Sequence, residues 1–408
     1  MRFSVVAAVA VFLCLAASAS AQDPAGTEWP SAPRDFDTAE QLIATADLFP
    51  NSAGMQRYRL GVAIQANDRD AALAAARRLA ALGAALNATS QGQLARVIGG
   101  EALAPISAQM AANATPVGTS EAYASIPVDH PLVEGLIWDE RARRLYATSV
   151  VGRSLVALRG GNTRAVATGF GSLLGGAYDP ARRLIWIASA EIETTPRDRA
   201  NFVGLVAIDP RRPGAARRIA APAGATPGDI AVARDGTVYA SDGLDGALYR
   251  CQPGCSALET LFAERMFSGQ GLAFSPDQRL LYIADRRYGL AALDRASGRL
   301  LKVAAPDDVM LDGIDGLVAD RGTLIATQTA YAPARIVRLH LSPDGLAVTR
   351  FELLERANPD WGEVTLATIV GDRLVYVGGA QWDHYGANGA PNVEAPPGPT
   401  AIRSLRLR

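Results

Sequence analysis

The chain has 408 residues, of which 49% are hydrophobic and 20% are charged, and its formal net charge is -1. This composition is typical of a globular protein with room for one large domain and a small one. A nearly neutral chain gives no electrostatic reason to expect binding to nucleic acid or to an anionic membrane surface.

The first residues have the pattern of a secretory signal peptide. Arg2 precedes an apolar run over residues 5–17, and residues 19–21 (Ala-Ser-Ala) provide the small side chains of a cleavage site. The run is too short to cross a bilayer as a helix, and no later segment is apolar enough to do so. The sequence therefore predicts removal of residues 1–21 and export, to the periplasm or out of the cell, without a membrane span.

A flexible leader and a helical region are predicted next. Residues 22–36 are rich in Pro, Ser, Ala and Asp, which favours a flexible leader. Helical periodicity covers residues 37–98, where Asp37-Thr-Ala-Glu40 is a helix-start signal and Pro50 ends the first helix. Three further helices are predicted over residues 52–66, 69–82 and 90–98.

The role of this helical region is left open by the sequence. Residues around Leu60-Gly61 and Ala72-Leu73 resemble a tetratricopeptide-type hairpin, which would bind a protein partner. The alternative is a small α-helical cap packed on the main domain. Residues 99–121 are small, polar and interrupted by prolines, so they are predicted to form a linker.

A repeated strand–turn–strand pattern dominates the rest of the chain. Its six copies begin 41 to 53 residues apart, at Gly135, Gly176, Asp229, Gly271, Gly316 and Val364. Repeats of this length, each with several short apolar strands, predict a β-propeller with one four-stranded blade per repeat. The predicted fold is thus mainly β, a six-bladed β-propeller over residues 122–408 preceded by a small α-helical region. Residues 123–126 are expected to pair with residues 401–407 and close the ring.

Two cysteines remain after removal of the signal peptide. Cys251 and Cys255 flank a Pro-Gly turn, and such a pair in an exported protein predicts a local disulfide. The spacing of the pair and the absence of a nearby histidine in the sequence do not favour a metal or redox role.

The residues just before the repeat anchors are candidates for a functional site. In a propeller the innermost strand of each blade begins at one mouth of the central channel, so these residues are expected to face a shared axis. They are Glu134, Gly175, Gly228, Gln270, Asp315 and Glu363. Carboxylates gathered in one cavity repel each other unless a cation or protons lie among them. Hard oxygen ligands suit calcium, magnesium or manganese. The alternative is that these are turn residues that cap strands or face solvent.

Three of these segments resemble one known family. Glu134-Gly-Leu-Ile-Trp-Asp139, Gln270-Gly-Leu-Ala-Phe-Ser-Pro-Asp277 and Asp315-Gly-Leu-Val-Ala-Asp320 are similar to the senescence marker protein/gluconolactonase/luciferin-regenerating enzyme family. The resemblance covers roughly residues 125–408. It implies a six-bladed propeller that holds a divalent metal in the central channel and hydrolyses lactones or related esters through metal-assisted catalysis.

The resemblance also implies roles for single residues. Glu134 falls on the first metal ligand, and Asp315 falls on the last, where it would also serve as general base. Gln270 replaces an asparagine ligand and keeps an amide oxygen on a longer arm. Gly228 replaces a substrate-contacting asparagine, which leaves Asp229 as the candidate catalytic residue there. Glu363 is a further candidate ligand, for which the resemblance gives no support.

Two functions are therefore carried forward. The first is an exported lactonase or esterase with a divalent cofactor (calcium first, magnesium or manganese as alternatives) and a small-molecule substrate. The second is a non-catalytic binding protein of the cell envelope that uses the propeller and helical surfaces. Trp382-Asp-His384 is a minor additional candidate, either as an acid–base pair near a channel mouth or as blade packing.

Overall fold

The computed structural model describes residues 26–31 and 33–407. The predicted signal peptide lies outside the described residues. Within them, five α-helices precede the strands: α1 (Ala39–Leu48), α2 (Ala53–Gln65), α3 (Arg69–Ala81), α4 (Ala88–Ile98) and α5 (Gly100–Asn113). No helix in the described part of the chain is both long enough and apolar enough to cross a membrane.

Polar residues start the first four helices. Thr38, Ser52, Asp68 and Asn87 each accept a hydrogen bond from the backbone N–H three residues later, which satisfies one of the unpaired amides of the first turn. These starts lie within two residues of the predicted ones. The tetratricopeptide resemblance is not confirmed.

The predicted linker over residues 99–121 is wrong, because α5 occupies most of it. Pro105 lies inside this helix and removes one backbone hydrogen bond. Burial offsets that loss, since Ile106 and Met110 are almost fully buried against α3 and α4. Asn113 also donates from its side chain to the carbonyl of Ala80 at 2.8 Å, which satisfies an acceptor near the end of α3.

The strands form six four-stranded antiparallel sheets, which are the blades of a propeller. Blade 1 contains β2 (Val133–Asp139), β3 (Arg144–Ser149), β4 (Ser154–Arg159) and β5 (Asn162–Thr168). Blade 2 contains β6 (Ser172–Asp179), β7 (Leu184–Ala190), β8 (Gly204–Ile208) and β9 (Arg217–Ala220). Blade 3 contains β10 (Pro227–Val232), β11 (Val238–Asp242), β12 (Leu248–Cys251) and β13 (Glu259–Phe262). Blade 4 contains β14 (Gly269–Phe274), β15 (Leu280–Asp285), β16 (Gly289–Asp294) and β17 (Leu300–Lys302). Blade 5 contains β18 (Ile314–Asp320), β19 (Thr323–Gln328), β20 (Arg335–Leu341) and β21 (Val348–Arg356). Blade 6 contains β22 (Ala367–Val370), β23 (Arg373–Val377), β24 (Thr400–Arg406) and β1 (Glu121–Ile126).

The ring closes as predicted. β1, from before the first blade, pairs antiparallel with β24 from the end of the chain, with Ile126 opposite Thr400. This pairing joins the two ends of the propeller and leaves no open edge between the first and last blades. The predicted six-bladed fold with its helical region is confirmed.

The core lies between the faces of neighbouring blades. Successive side chains of a strand point to opposite faces of its sheet. In β2, Leu136 packs in the cluster shared with blade 6, whereas Ile137 packs in the cluster shared with blade 2. Inner strands are therefore apolar on both faces, and polar groups occur mainly at their two ends.

The predicted disulfide is present in blade 3. Cys251 is the last residue of β12, and its Cα lies 5.5 Å from that of Cys255. The bond closes the short Pro-Gly turn between β12 and β13.

Part of the predicted flexible leader packs against blade 4. The N–H of Trp29 donates to the carbonyl of Leu300 at 2.8 Å, and that of Lys302 donates to the carbonyl of Thr27 at 2.7 Å. The Trp29 side chain is buried beside Phe49, with ring centroids 5.3 Å apart. The segment is held because it pairs with the open edge of β17, the outer strand of blade 4, and because it buries the large side chain of Trp29.

The helical region docks on blades 4 and 5 around one buried carboxylate. Asp312, in the loop that leads into β18, accepts hydrogen bonds from the Ser52 hydroxyl at 3.0 Å and from the N–H groups of Ala53 at 2.9 Å and Gly54 at 2.8 Å. These donors form the N-terminus of α2, where a negative charge is favoured. Because the loop lies where an inner strand begins, the helices sit beside the channel mouth that holds the predicted site.

Candidate functional site

The candidate residues lie at irregularities in the inner strands. The pairing register shifts at the start of the inner strand in each of the first five blades, between Val133 and Leu136 in β2 and between Ile314 and Leu317 in β18, for example. Such bulges re-aim side chains and are common next to functional sites. Glu134, Gln270 and Asp315 each lie within one of these irregular segments.

The glycine that follows Glu134, Gln270 and Asp315 is required by close packing between blades. A Cβ atom at Gly271 would lie 2.5 Å from the backbone nitrogen of Leu317, and one at Gly135 would lie 2.7 Å from the carbonyl oxygen of Leu174. Both distances are far shorter than a normal contact. The repeated pattern of polar residue then glycine therefore has two causes, the narrow ring of inner strands and the polar channel mouth.

Glu134 is buried and held by a tryptophan. Its carboxylate accepts a hydrogen bond from Nε1 of Trp382 at 2.8 Å, and its backbone carbonyl accepts one from Thr365 at 3.0 Å. Burial raises the pKa of Glu134 well above the usual value, and the carboxylate of Asp315 raises it further. The segment Trp382-Asp-His384, predicted either to hold an acid–base pair near a channel mouth or to pack within its blade, thus contacts the candidate site through Trp382.

Asp315 is buried close to an arginine. Its Oδ1 lies 3.4 Å from Nη1 of Arg286, which follows β15 in blade 4. Burial raises the pKa of Asp315, and the Arg286 guanidinium opposes that rise. Arg286 was not predicted from the sequence.

The other two candidate ligands are more exposed. Glu363 is half-buried just before β22, and burial followed by the charge of Asp315 raises its pKa. Gln270 is half-buried, and its side-chain NH2 donates to the hydroxyl of Ser268 at 2.7 Å. This bond uses the amide nitrogen of Gln270 and leaves its carbonyl oxygen as the atom that could meet a cation.

Asp229 lies deeper in the channel. Its carboxylate accepts the N–H of Ile230 at 2.8 Å, and a Cβ atom at Gly175 would lie 2.3 Å from its Oδ1, so glycine at 175 leaves room for it. Burial raises the pKa of Asp229 to about 7, against the opposing effect of backbone N–H groups. Gly228 presents no side chain beside it.

A cavity of about 600 Å³ continues from Asp229 between the inner strands towards the far mouth. Apolar residues of the inner strands, such as Ile137 and Leu317, form most of its wall, and Trp138 and Arg321 lie where those strands end. The cavity has the size of a small-molecule site, and Asp229 forms part of its wall.

The chemistry of these side chains suits a divalent cation. Asp315 lies near enough to raise the pKa of both Glu134 and Glu363, and Gln270 adds an amide oxygen. A bound cation would stabilise the ionised carboxylates, whose mutual repulsion is otherwise unfavourable. Within residues 26–31 and 33–407, no three acidic, histidine or cysteine side chains are placed tightly enough to form a complete ligand cluster. The donor set fits calcium, magnesium or manganese by type of ligand atom.

Comparisons with known proteins give one family and several distant structures. A family model described as SMP-30/Gluconolactonase/LRE-like region matches residues 132–353. No curated protein matches the chain significantly.

Among solved structures, a gluconolactonase from Xanthomonas campestris is 21% identical, with a TM-score of 0.49, over 73% of this chain and 93% of that chain. A calcium-binding protein, regucalcin, from Agrobacterium tumefaciens is 17% identical, with a TM-score of 0.46, over 70% of this chain and 96% of that chain. A PQQ-bound aldose sugar dehydrogenase from Streptomyces coelicolor is 16% identical, with a TM-score of 0.45, over 72% of this chain and 99% of that chain. At such low identities and TM-scores these likenesses carry no argument about activity.

Proposed function

Because the chain belongs to the SMP-30/gluconolactonase/LRE-like family, we propose that it is a divalent-metal-dependent hydrolase of lactones or related esters. The observation that carries the proposal is the pair of buried carboxylates, Glu134 and Asp315, which the ring of inner strands brings together at one channel mouth. Export to the periplasm or the medium is part of the same proposal and rests on the pattern of residues 1–21.

Glu134, Asp315, Glu363 and Gln270 are the residues that would hold the cation. A bound divalent ion would act as a Lewis acid that polarises the ester carbonyl. Trp382 fixes the orientation of Glu134 through its hydrogen bond. Arg286 favours the ionised form of Asp315, which a ligand or a base must adopt.

Asp229 is the residue that would move the proton. Hydrolysis adds water to the carbonyl carbon, so a base must accept one proton from that water while the new C–O bond forms. The ring or ester C–O bond then breaks, and the departing oxygen takes a proton to become a hydroxyl. A carboxyl group with a pKa of about 7 inside the channel can accept and return this proton near neutral pH. Asp315 remains the second candidate base.

Calcium titration and a hydrolysis assay on the same preparation test the proposal. The mature protein is treated with a chelator and titrated with calcium and with manganese in a calorimeter. It is then assayed on a panel of δ-lactones and aryl esters by proton release. We expect binding at micromolar affinity or tighter and hydrolysis that the chelator abolishes and the metal restores. If neither ion binds and the panel is not hydrolysed, the acids are structural and the binding-protein alternative is favoured.

Asp229 also predicts a pH profile. The carboxyl must be ionised to act as a base, and its pKa is about 7, so kcat/KM should rise as pH increases from 6 to 8 and then level off. Asp229→Asn should remove this limb and lower the rate by about 100-fold or more, the usual contribution of a general base.

A control in the same blade separates this effect from a general change of charge. Asp245 is exposed in the turn between β11 and β12, and Asp245→Asn should leave the profile unchanged. If Asp229→Asn retains the rise between pH 6 and 8, the base is another residue, with Asp315 the next to be tested.

A further inference from the structure

A second pocket lies between the helical region and the channel mouth. It has a volume of about 490 Å³ and is formed by α2 on one side and by loops of blades 3, 4 and 5 on the other. Its lining consists of Gly54, Arg57, Tyr58, Phe267, Arg286, Arg287, Ala330 and Tyr331. None of the residues described in this lining is acidic, and its three arginines outnumber the two carboxylates behind it, Asp315 beside Arg286 and Asp312 near Arg57.

Aromatic rings hold two of the arginines in place. The guanidinium carbon of Arg287 lies 3.3 Å from the ring centroid of Phe267, and that of Arg57 lies 5.4 Å from the ring centroid of Tyr331. Stacking of this kind fixes a guanidinium while leaving its N–H edge available for hydrogen bonds. The pocket therefore combines cationic edges with flat apolar faces from Tyr58, Phe267 and Tyr331.

Arg57 and Arg286 keep most of their N–H donors available for a ligand. Arg57 donates to the carbonyl of Ala85 at 2.7 Å, and its buried Nε has no hydrogen-bond partner among the described residues. Arg286 donates to Asp315 at 3.4 Å, a long contact for a charged pair. A guanidinium has five N–H donors, so each of these side chains can still bind a planar anion.

Arg286 joins this pocket to the candidate site. It lines the pocket and also contacts Asp315 at the channel mouth. A molecule with its anionic group in the pocket would therefore place its remaining atoms beside the carboxylates of the mouth.

We propose that this pocket, lined by Arg57, Arg286 and Arg287, binds a carboxylate group of the substrate, so that the preferred substrates are lactones or esters that carry a carboxylate. The substrate class rests on the proposed hydrolase function, whereas binding of the carboxylate does not. A guanidinium edge matches a carboxylate by forming two parallel hydrogen bonds, and the aromatic faces suit a ring attached to it. The helical region then has a role in substrate selection, because α2 supplies Arg57 and Tyr58.

Binding of benzoate and of its neutral analogue benzamide, measured by calorimetry, tests the pocket without requiring catalysis. We expect benzoate to bind at least about 10-fold more tightly, as charged hydrogen bonds predict. Arg57→Gln should remove this preference. Tyr58→Glu, at an exposed helical position, should also remove it by placing a negative charge in the pocket, which keeps the test valid if Arg57→Gln folds poorly. Arg77→Gln changes an exposed arginine of α3 and should leave the preference intact.

Hydrolysis of 5-oxotetrahydrofuran-2-carboxylate and of its primary amide tests the substrate class. We expect kcat/KM to be about 10-fold higher for the carboxylate, and the ratio to fall towards one in Arg57→Gln and to persist in Arg77→Gln. If benzoate binding shows the expected pattern but neither lactone is hydrolysed, the pocket stands and the hydrolase function falls. If benzoate and benzamide bind equally while both lactones are hydrolysed at equal rates, the pocket proposal is overturned and the hydrolase function stands.

Discussion

Replacing Glu134 with glutamine is expected to weaken calcium binding by at least about 100-fold and to lower hydrolysis in parallel, without loss of stability. Glutamine has the volume of glutamate, and its amide oxygen can still accept the hydrogen bond from Trp382. The substitution removes the negative charge that a divalent cation requires. It therefore changes the proposed ligand while preserving its packing.

The thermal stability of Glu134→Gln without metal should rise, whereas its calcium affinity should fall. Burial and the charge of Asp315 raise the pKa of Glu134 in the folded protein. A raised folded-state pKa contributes stability that is fully present below the unfolded pKa and is lost as pH rises through the folded pKa. At pH 8, far above the ordinary pKa of a glutamate, that stability is reduced in the metal-free wild type, so Glu134→Gln should unfold at a higher temperature. This difference should shrink as pH falls to 5.

Glu140 provides the matched control at the other end of β2. It is exposed at the far mouth of the channel, just after the strand ends. Glu140→Gln removes the same charge from the same strand, and calcium affinity measured by calorimetry should stay within a factor of two of the wild type, roughly the effect expected of a surface change. Equal calcium affinity in the wild type and in Glu134→Gln would remove Glu134 from the ligand set.

The propeller could be predicted because its local requirements recur. Four of the six repeats have a glycine at the anchor, where inner strands approach closely, as at Gly271, and each repeat has short apolar strands. These requirements are local in sequence, so six copies of one pattern fix the blade count. The pairing of β1 with β24 follows from the same logic, since an unpaired edge would otherwise remain.

Residues that act across the fold could not be predicted in the same way. Arg286 meets Asp315 across the boundary between blades 4 and 5, and no spacing rule connects them. The topology of a propeller blade nevertheless indicates where such residues lie. The turn after the second strand of each blade returns to the channel mouth where the inner strand begins, so Arg286, directly after β15, could have been included among the candidates.

The error at α5 has a similar origin. Small residues and Pro105 indicate a linker when only local preference is considered. Burial of Ile106 and Met110 against other helices outweighs that preference, because most of the stability of a short helix comes from tertiary packing. Such packing becomes visible only when the neighbouring helices are in place.

Replacing Asp312 with alanine is expected to lower the free energy of unfolding by about 3 kcal/mol and to loosen the helical region from the propeller. The carboxylate is fully buried and accepts hydrogen bonds from Ser52, Ala53 and Gly54 at the start of α2, some 260 residues away in sequence. Alanine would leave these buried donors without an acceptor. Chemical denaturation followed by tryptophan fluorescence measures the loss, and limited proteolysis between α1 and α5 measures the loosening.

Two further variants separate the hydrogen bonds that Asp312 accepts from the effect of its charge. Asp308, exposed in the same loop, is the control, and Asp308→Ala should change stability by less than about 0.5 kcal/mol. Asp312→Asn keeps one acceptor oxygen, so it should lose less stability than Asp312→Ala.

Burial raises the pKa of Asp312 to about 6, so the stability linked to its protonation is present at low pH and is lost as pH rises through 6. The stability difference between wild type and Asp312→Asn should therefore be larger at pH 5 than at pH 8. A difference that does not vary with pH would mean that Asp312 is not the buried ionisable group at this junction, and the docking of α2 would then depend on apolar contacts such as that of Phe49 with Tyr288.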